Sequence, residues 1–176
     1  MNGPEQRVID AATVISWLLD EDRPRWVDAC IDDVPAGRIH LLAPSLIWLE
    51  IGNRLSRTAS IGDEFALDAM LQTEVLQIEE VPQGRPLRLR ALTLARAHGL
   101  SMYDATYLAA AEATDCRLLT LDARLDGAAT AMGLGREEGP AQTSEPRAMY
   151  GDRPVDKISM AYIGAALAEM RREYSR

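Results

Sequence analysis

The sequence predicts an α/β fold with a mainly parallel central sheet. Short apolar segments with the length of buried strands alternate with longer segments that have the pattern of helices. Apolar residues make up 47% and charged residues 26% of the 176 residues, which is ordinary for one globular domain with its own core. A chain that alternates strands and helices in this way builds parallel strands joined by helical crossovers.

The first half of the chain is predicted to contain three of the strands. Short runs rich in Val, Ile and Leu indicate the strands, and Pro24 stands where a helix begins. Pro44 ends the second strand, and Ser45 is a candidate N-cap for the helix that follows. The predicted elements are a strand over 7–11, helices over 14–19 and 25–33, a strand over 38–42, helices over 45–59 and 63–72, and a strand over 75–81.

The second half is predicted to add one strand between helices. Pro86 opens a helix that Gly99 stops after His98, and Ser101 starts the next one. The predicted elements are helices over 86–98 and 101–113, a strand over 117–121 and a helix over 123–132.

The composition changes near residue 134, which divides the chain into two predicted parts. Residues 1–134 are expected to form the α/β domain. Residues 135–151 are rich in Gly, Glu, Pro, Ser and Thr and are typical of a linker, and residues 152–174 resume a helical pattern. One apolar face of this C-terminal amphipathic helix is formed by Met160, Ile163, Leu167, Met170 and Tyr174.

Composition excludes several protein classes. Two cysteines, Cys30 and Cys116, are too few for a disulfide framework or a cysteine-based zinc site. The N-terminus has no apolar signal-like run, and no segment has the length of a membrane span, so we expect a cytoplasmic protein that does not associate with membranes. The net charge of −8 disfavours nonspecific coating of nucleic acid.

Two aspartates stand at the ends of predicted strands. Asp10 lies within an apolar run, where a buried and unpaired charge would be costly, and Asp122 follows Leu-Leu-Thr-Leu. At the carboxyl end of a parallel strand an acid faces the crevice where α/β folds bind ligands. The alternative for both is a purely structural N-cap of the next helix.

Two further acids have similar ambiguity. Glu50 is the one charged residue in Leu-Ile-Trp-Leu-Glu-Ile, and its alternative is an exposed side chain beside a wide apolar stripe. Asp104 follows Ser101 at capping-box spacing, which would explain it without any function.

The joint placement of these acids favours a metal site. Carboxylates gathered at one sheet edge repel one another, and divalent cations relieve that repulsion. Oxygen-only ligands favour Mg²⁺ or Mn²⁺ over zinc, and such ions catalyse phosphodiester hydrolysis.

The same acids lie in four segments with a characteristic pattern. These are Val-Ile-Asp-Ala at 8–11 with Trp-Leu-Leu-Asp at 17–20, Leu-Glu-Ile-Gly-Asn at 49–53, His-Gly-Leu-Ser-Met-Tyr-Asp-Ala-Thr-Tyr-Leu-Ala at 98–109, and Leu-Leu-Thr-Leu-Asp-Ala-Arg-Leu at 118–125. On these segments the chain from about Val8 to Leu134 resembles the PIN-domain family, of the type of the VapC toxin ribonucleases.

The resemblance implies a three-layer α/β/α fold with four or five parallel strands and a metal-dependent endoribonuclease that cleaves RNA. It implies a Mg²⁺ or Mn²⁺ cofactor, a homodimer and a VapB-type antitoxin as partner. The catalytic and metal-binding acids would be Asp10, Glu50, Asp104 and Asp122. Polar support for them would come from Asn53, Thr120 and Asp126.

The sequence departs from the family pattern at two places within the match. Where the family often has Ser or Thr, two residues after the first acid, this chain has Ala12, which puts fine positioning in question. Residues 133–139 form a poor strand where a fifth strand usually stands. The C-terminal part, from about residue 135, lies outside the resemblance.

Other interpretations remain open from the sequence. Arginines near the acids are candidates for RNA phosphate contacts, although each fits a solvated helix face equally well. They are Arg54, Arg57 and Arg124.

The alternative function is a non-catalytic or restrained PIN-like module that binds RNA or a protein partner. The C-terminal helix either inhibits the site or covers a sheet edge or dimer interface. A dehalogenase-like fold fits poorly because Ala12 stands where its second Asp is required, and a receiver fold fits poorly because the one lysine, Lys157, lies in the C-terminal part and not after a late strand.

Overall fold

A central sheet of four parallel strands organises the molecule. The computed structural model describes residues 3–137. The strands are β1 (Glu5–Ile9), β2 (Ile39–Pro44), β3 (Glu79–Val81) and β4 (Arg117–Leu119), in the order β3-β2-β1-β4. Val8 of β1 lies opposite Leu42 on one side and Leu118 on the other, so β1 and β2 are the inner strands.

Seven α-helices connect and cover the strands. They are α1 (Ala11–Leu18), α2 (Arg25–Asp33), α3 (Leu46–Arg57), α4 (Asp63–Gln72), α5 (Arg85–His98), α6 (Met102–Thr114) and α7 (Ala123–Ala131). The crossovers from β1 to β2 and from β2 to β3 run in one direction along the sheet, and the crossover from β3 to β4 runs back. Because such crossovers are right-handed, α5 and α6 lie on the opposite face from α1–α4. The predicted parallel α/β architecture is therefore confirmed.

The core is densest around β1, β2 and α6. Val8 and Ile9 of β1 and Leu41 of β2 are fully buried. α6 contacts β1, β2 and β4 and presents the run Ala109–Ala111 to the interior. Small side chains let this helix approach the sheet closely, so that its N-terminal turn emerges at the carboxyl edge of the strands.

The predicted third strand differs most from the structure. The segment predicted as a strand over 75–81 begins with a 3-10 turn, Thr73–Leu76, and only Glu79–Val81 pairs with β2. The Thr73 hydroxyl donates to the Met70 carbonyl at 2.6 Å, and Gln77 has a left-handed φ of 44°. A left-handed residue cannot continue an extended strand, so β3 is short.

Other boundaries shift by a few residues. β2 continues through Pro44, which lies opposite Val81, so Pro44 does not break the strand early. Ser45 precedes α3, but its side chain makes no capping hydrogen bond there. Beyond β4, the Leu118 N–H donates to the Leu134 carbonyl at 2.8 Å. This single bond occupies the place of a fifth strand, and within residues 3–137 no fifth strand forms.

The predicted linker and C-terminal helix lie outside the described residues, apart from the start of the linker. The proposed division at residue 134 therefore stays a prediction. Among residues 3–137, no helix is long and apolar enough to cross a membrane.

Candidate active site

Asp10 lies at the junction between β1 and α1 and is only 4% exposed. Its Oδ1 accepts the backbone N–H of Thr13 at 2.8 Å, so the side chain does cap α1. Its Oδ2 accepts the hydroxyl of Thr120, from the end of β4, at 2.5 Å. Burial raises the pKa of Asp10, and the negative charge of Asp122 raises it further against these hydrogen bonds.

Asp122 lies at the equivalent junction between β4 and α7, and it is exposed. Its Oδ1 caps α7 by accepting the N–H groups of Arg124 at 2.8 Å and Leu125 at 2.9 Å. Its own N–H donates to the Thr120 hydroxyl at 3.0 Å. Thr120 therefore links the two aspartates between the neighbouring strands β1 and β4, at the switch point where the strand order reverses, which is where open α/β sheets bind ligands.

Glu50 approaches the same edge from the middle of α3. It is half-buried, and its Oε2 accepts the hydroxyl of Tyr107 from α6 at 2.6 Å. Burial raises the pKa of Glu50, the Tyr107 hydrogen bond opposes this, and the charges of Asp104 and Asp10 add to it. Burial, followed by the bond to Glu50, raises the pKa of Tyr107, which keeps its hydroxyl a donor.

Asp104 lies in the first turn of α6. Its N–H donates to Ser101 Oγ at 3.1 Å, and its Oδ2 accepts the Ser101 hydroxyl at 2.7 Å. This Ser–Asp pair caps α6 as the sequence suggested. The cap and the electrostatic interaction with Glu50 occur together, so the structural role does not exclude a functional one.

The four carboxylates form an interacting series from Asp122 through Asp10 and Glu50 to Asp104. Within residues 3–137, however, no three His, Cys, Asp or Glu side chains are arranged closely enough to hold a metal ion as they stand. The donor chemistry does fit a hard divalent cation, because all the donors are carboxylate oxygens. In the described part of the chain, three of these oxygens accept no hydrogen bond and are left for a ligand: Glu50 Oε1, Asp104 Oδ1 and Asp122 Oδ2.

Comparison with known proteins decides the family. A family model described as PIN domain matches residues 7–130, which is more than half of the chain. The chain belongs to the PIN domain family. Its acids at the β1, α3, α6 and β4 positions all lie within the matched region of this PIN domain.

Individual relatives agree with this assignment. The chain is 30% identical over 118 residues to VapC ribonuclease Mb0985 of Mycobacterium bovis, covering 67% of this chain and 87% of the relative. It is 30% identical over 122 residues to Ribonuclease VapC3 of Pyrobaculum aerophilum, covering 67% and 90%. The crystal structure of PAE2754 from Pyrobaculum aerophilum matches with a TM-score of 0.53 and 24% identity over 71% of this chain and 84% of that one. That likeness shows a shared fold.

The predicted supporting residues of the PIN domain differ in their contacts. Thr120 contacts Asp10 directly, as described above. Asn53 is exposed on α3, one turn beyond Glu50, and Asp126 is half-buried on α7, one turn beyond Asp122. In the described region, neither of these two side chains makes a hydrogen bond to a carboxylate of the site.

The predicted phosphate-binding arginines are all exposed, but two of them have partners. Arg54 pairs with Glu21 Oε1 at 2.6 Å, and Arg124 donates to the carbonyl of Gly99 in the loop before α6. Arg57, at the end of α3, has no hydrogen bond or ion pair among residues 3–137. Arg54 therefore already has a carboxylate partner that partly neutralises its charge, whereas Arg57 has none in this region.

The contacts of Tyr107 and Thr13 with the site carboxylates were not predicted from the sequence. Tyr107 is one of the largest fully buried side chains, in a helix otherwise rich in alanine. A tyrosine in such a position must find a partner for its hydroxyl, and that signal was present in the sequence. Its partner, 57 residues away, was not indicated by any local pattern.

Proposed function

We propose that this PIN-domain chain is a metal-dependent endoribonuclease that hydrolyses RNA phosphodiester bonds, and that it is the toxin of a VapBC-type toxin–antitoxin pair. The observation that carries the proposal is the buried Asp10, joined to Asp122 through Thr120 at the switch point of the sheet. A carboxylate is rarely buried there for stability alone. The relatives named VapC ribonuclease support the reaction class.

The chain's own residues would hold and orient the reacting groups. A bound Mg²⁺ or Mn²⁺ ion supplies the Lewis acidity that activates water and offsets charge on the phosphate. Thr13 and Thr120 fix the Asp10 carboxylate, so that its remaining lone pairs keep one direction. Tyr107 does the same for Glu50 and leaves Oε1 directed elsewhere. Preorganised ligands of this kind cost little reorganisation during the reaction.

RNA would be held by few phosphate contacts. The net charge of −8 gives the protein little general attraction for nucleic acid. Arg57 is the candidate with no partner in the described region, and Arg124, two residues after Asp122, reaches the Gly99 carbonyl in the loop between α5 and α6. We therefore expect weak general binding and selectivity for particular RNA features.

A second candidate function is a PIN-like module that binds RNA or a protein without cleaving. Two observations favour it: the carboxylates do not converge on an ion as they stand, and Ala12 replaces the hydroxyl residue that the family often carries. The two functions differ in whether a bound metal leads to turnover.

The deciding experiment compares the wild-type protein with Asp10→Asn and Asp122→Asn on a mixed RNA pool, with Mg²⁺ or Mn²⁺ and with an EDTA control. Glu64→Gln, an exposed acid on α4, is the matched control for loss of one charge. We expect metal-dependent cleavage by the wild type and by Glu64→Gln. The cleavage rate of both site variants should fall by roughly a hundredfold or more, because metal catalysis lowers the activation barrier by several kcal/mol. Metal binding without cleavage favours the binding module. Cleavage that survives both substitutions contradicts the site.

The partners and the domain division are parts of the same proposal. We propose a homodimer, a VapB-type antitoxin and a cytoplasmic location, and a nuclease unit that ends near residue 134. Sedimentation of the full chain tests the dimer.

Deletion of residues 136–176 tests the division. A folded truncation that cleaves more RNA than the full chain would assign an inhibitory role to the removed segment, and unchanged cleavage would exclude that role.

A further inference from the structure

Tyr103, in the first turn of α6, is an exposed aromatic residue beside the site. Its side chain is 65% exposed, whereas most of the helix after it is buried. It immediately precedes Asp104. Among residues 3–137, the Tyr103 hydroxyl makes no hydrogen bond, so nothing in the fold accounts for this ring.

The helix geometry places Tyr103 on the side of α6 that faces Glu50. Residues four apart share a helix face, and Tyr107, one turn further along, donates its hydroxyl to Glu50 Oε2 at 2.6 Å. Tyr103 therefore lies on the same face of α6 as Tyr107, one turn nearer to the solvent-exposed N-terminal end of the helix. Tyr103 thus adjoins Asp104 in the first turn of α6 and shares a helix face with Tyr107, the residue that contacts Glu50, and Glu50 and Asp104 interact electrostatically.

This position fits a nucleobase better than a phosphate. The surrounding carboxylates and the net charge of −8 repel an unscreened phosphate chain, while an aromatic ring attracts the uncharged face of a base. Bases are available for stacking only where RNA is unpaired, since a duplex keeps them inside the helix.

We propose that Tyr103 is a specificity-determining residue that stacks on an unpaired base next to the scissile phosphate, and that this stack contributes to the choice of the bond that is cleaved. This inference rests on the proposed ribonuclease function. It adds what the carboxylates alone do not supply, namely a contact with a base rather than with the phosphate backbone.

The test uses an RNA oligonucleotide that spans a cut mapped in the pooled cleavage experiment. Each nucleotide near the cut is replaced in turn by an abasic residue, and kcat/KM is measured for the full-length wild type and for Tyr103→Phe, Tyr103→Leu and Tyr103→Ala. Val75→Ala is the control, because Val75 is also exposed but lies in the 3-10 turn before β3, at the opposite edge of the sheet.

One abasic position is expected to lower wild-type kcat/KM roughly tenfold to a hundredfold, the range of one base–aromatic stack. Tyr103→Phe should keep this sensitivity, because the ring remains. Tyr103→Leu and Tyr103→Ala should lose the same factor on the intact oligonucleotide and show no further loss at that abasic position. Val75→Ala should behave as the wild type.

A binding measurement in EDTA gives an independent readout. With 2-aminopurine at the sensitive position, we expect its fluorescence to be quenched by the wild type and Tyr103→Phe and not by Tyr103→Leu. If no abasic position affects the wild type, or if all Tyr103 variants respond to the abasic series as the wild type does, the inference is wrong while the ribonuclease function stands. If Tyr103→Ala instead changes the sedimentation coefficient with cleavage intact, Tyr103 is a protein contact and the inference is wrong. A wild type that cleaves no RNA overturns the proposed function itself.

Discussion

The junction after β1 and the junction after β4 share a local design, because each has an aspartate that ends a parallel strand and caps the next helix. Their surroundings differ. Asp10 is 4% exposed and both of its carboxylate oxygens accept hydrogen bonds, from Thr13 and Thr120. Asp122 is exposed, and one of its oxygens takes both capping bonds.

This difference separates two uses of one sequence pattern. A cap needs only a carboxylate near the first N–H groups of a helix, and Asp122 satisfies that need in contact with water. Asp10 meets it at the cost of desolvation, which raises its pKa. An uncharged side chain could cap α1 with a smaller desolvation penalty. The carboxylate at Asp10 therefore points to a ligand. Thr120 belongs to both junctions, so it is the place where the comparison can be tested most directly.

The largest expected effect is the gap in stability between the Asn and Ala variants at each junction. Both variants remove the charge, so the gap measures the lost hydrogen bonds. Asp10→Ala should be about 2 kcal/mol less stable than Asp10→Asn, because the amide of Asn can still accept the Thr13 N–H with its oxygen and donate to Thr120 Oγ with its NH2 group, whereas Ala leaves both groups buried without a partner. Asp122→Ala should be less than about 1 kcal/mol below Asp122→Asn, because water replaces the cap. Urea denaturation in EDTA measures both gaps, and equal gaps would contradict the distinction.

Thr120→Val breaks the link between the junctions. The variant keeps the side-chain shape but removes the donor to Asp10 and the acceptor for the Asp122 N–H. We expect a loss of about 1.5 kcal/mol in unfolding free energy and roughly a tenfold loss in RNA cleavage. Thr120→Ser, which keeps the hydroxyl, is the control and should retain cleavage within about threefold. A Thr120→Val protein that cleaves at the wild-type rate would show that Asp10 needs no such restraint.

Tyr107→Phe tests whether Glu50 resembles Asp10 or Asp122. Glu50 is half-buried and depends on one hydroxyl, so its restraint is intermediate between theirs. We expect a loss of about 1 kcal/mol in stability and roughly a fivefold loss in cleavage, mainly in kcat, because the carboxylate remains present but loses its fixed direction. Thermal unfolding and steady-state cleavage measure the two losses. Thr114→Val, in the last turn of α6, controls for loss of a hydroxyl on the same helix. A stability loss with unchanged kcat would make Tyr107 a purely structural residue.

The helices, the strands and the acids at the strand ends could be predicted from the sequence, but the contacts between distant residues could not. Apolar runs and Pro or Gly at helix ends are local signals, so α2 and α4 were predicted at their observed bounds. The third strand was overextended because apolar Val75 and Leu76 look extended, whereas a left-handed Gln77 separates them from β3. The pairs Glu50–Tyr107 and Glu21–Arg54 depend on how α3 packs against other elements, and no local pattern reports that packing.

Ala12→Ser should have the smallest effect. Ala12 is the second residue after Asp10, where the family pattern often has a hydroxyl, and Arg124 holds the corresponding position after Asp122. In this chain Asp10 already receives the Thr13 N–H and the Thr120 hydroxyl, and Ala12 is exposed. A new hydroxyl at position 12 therefore replaces no missing partner. We expect stability within about 0.5 kcal/mol of the wild type and cleavage within about threefold, measured beside Ala123→Ser at the other junction. A tenfold gain with Ala12→Ser alone would mean that Thr120 does not substitute for the family hydroxyl, and that the β1 junction is less well organised for catalysis than its hydrogen bonds indicate.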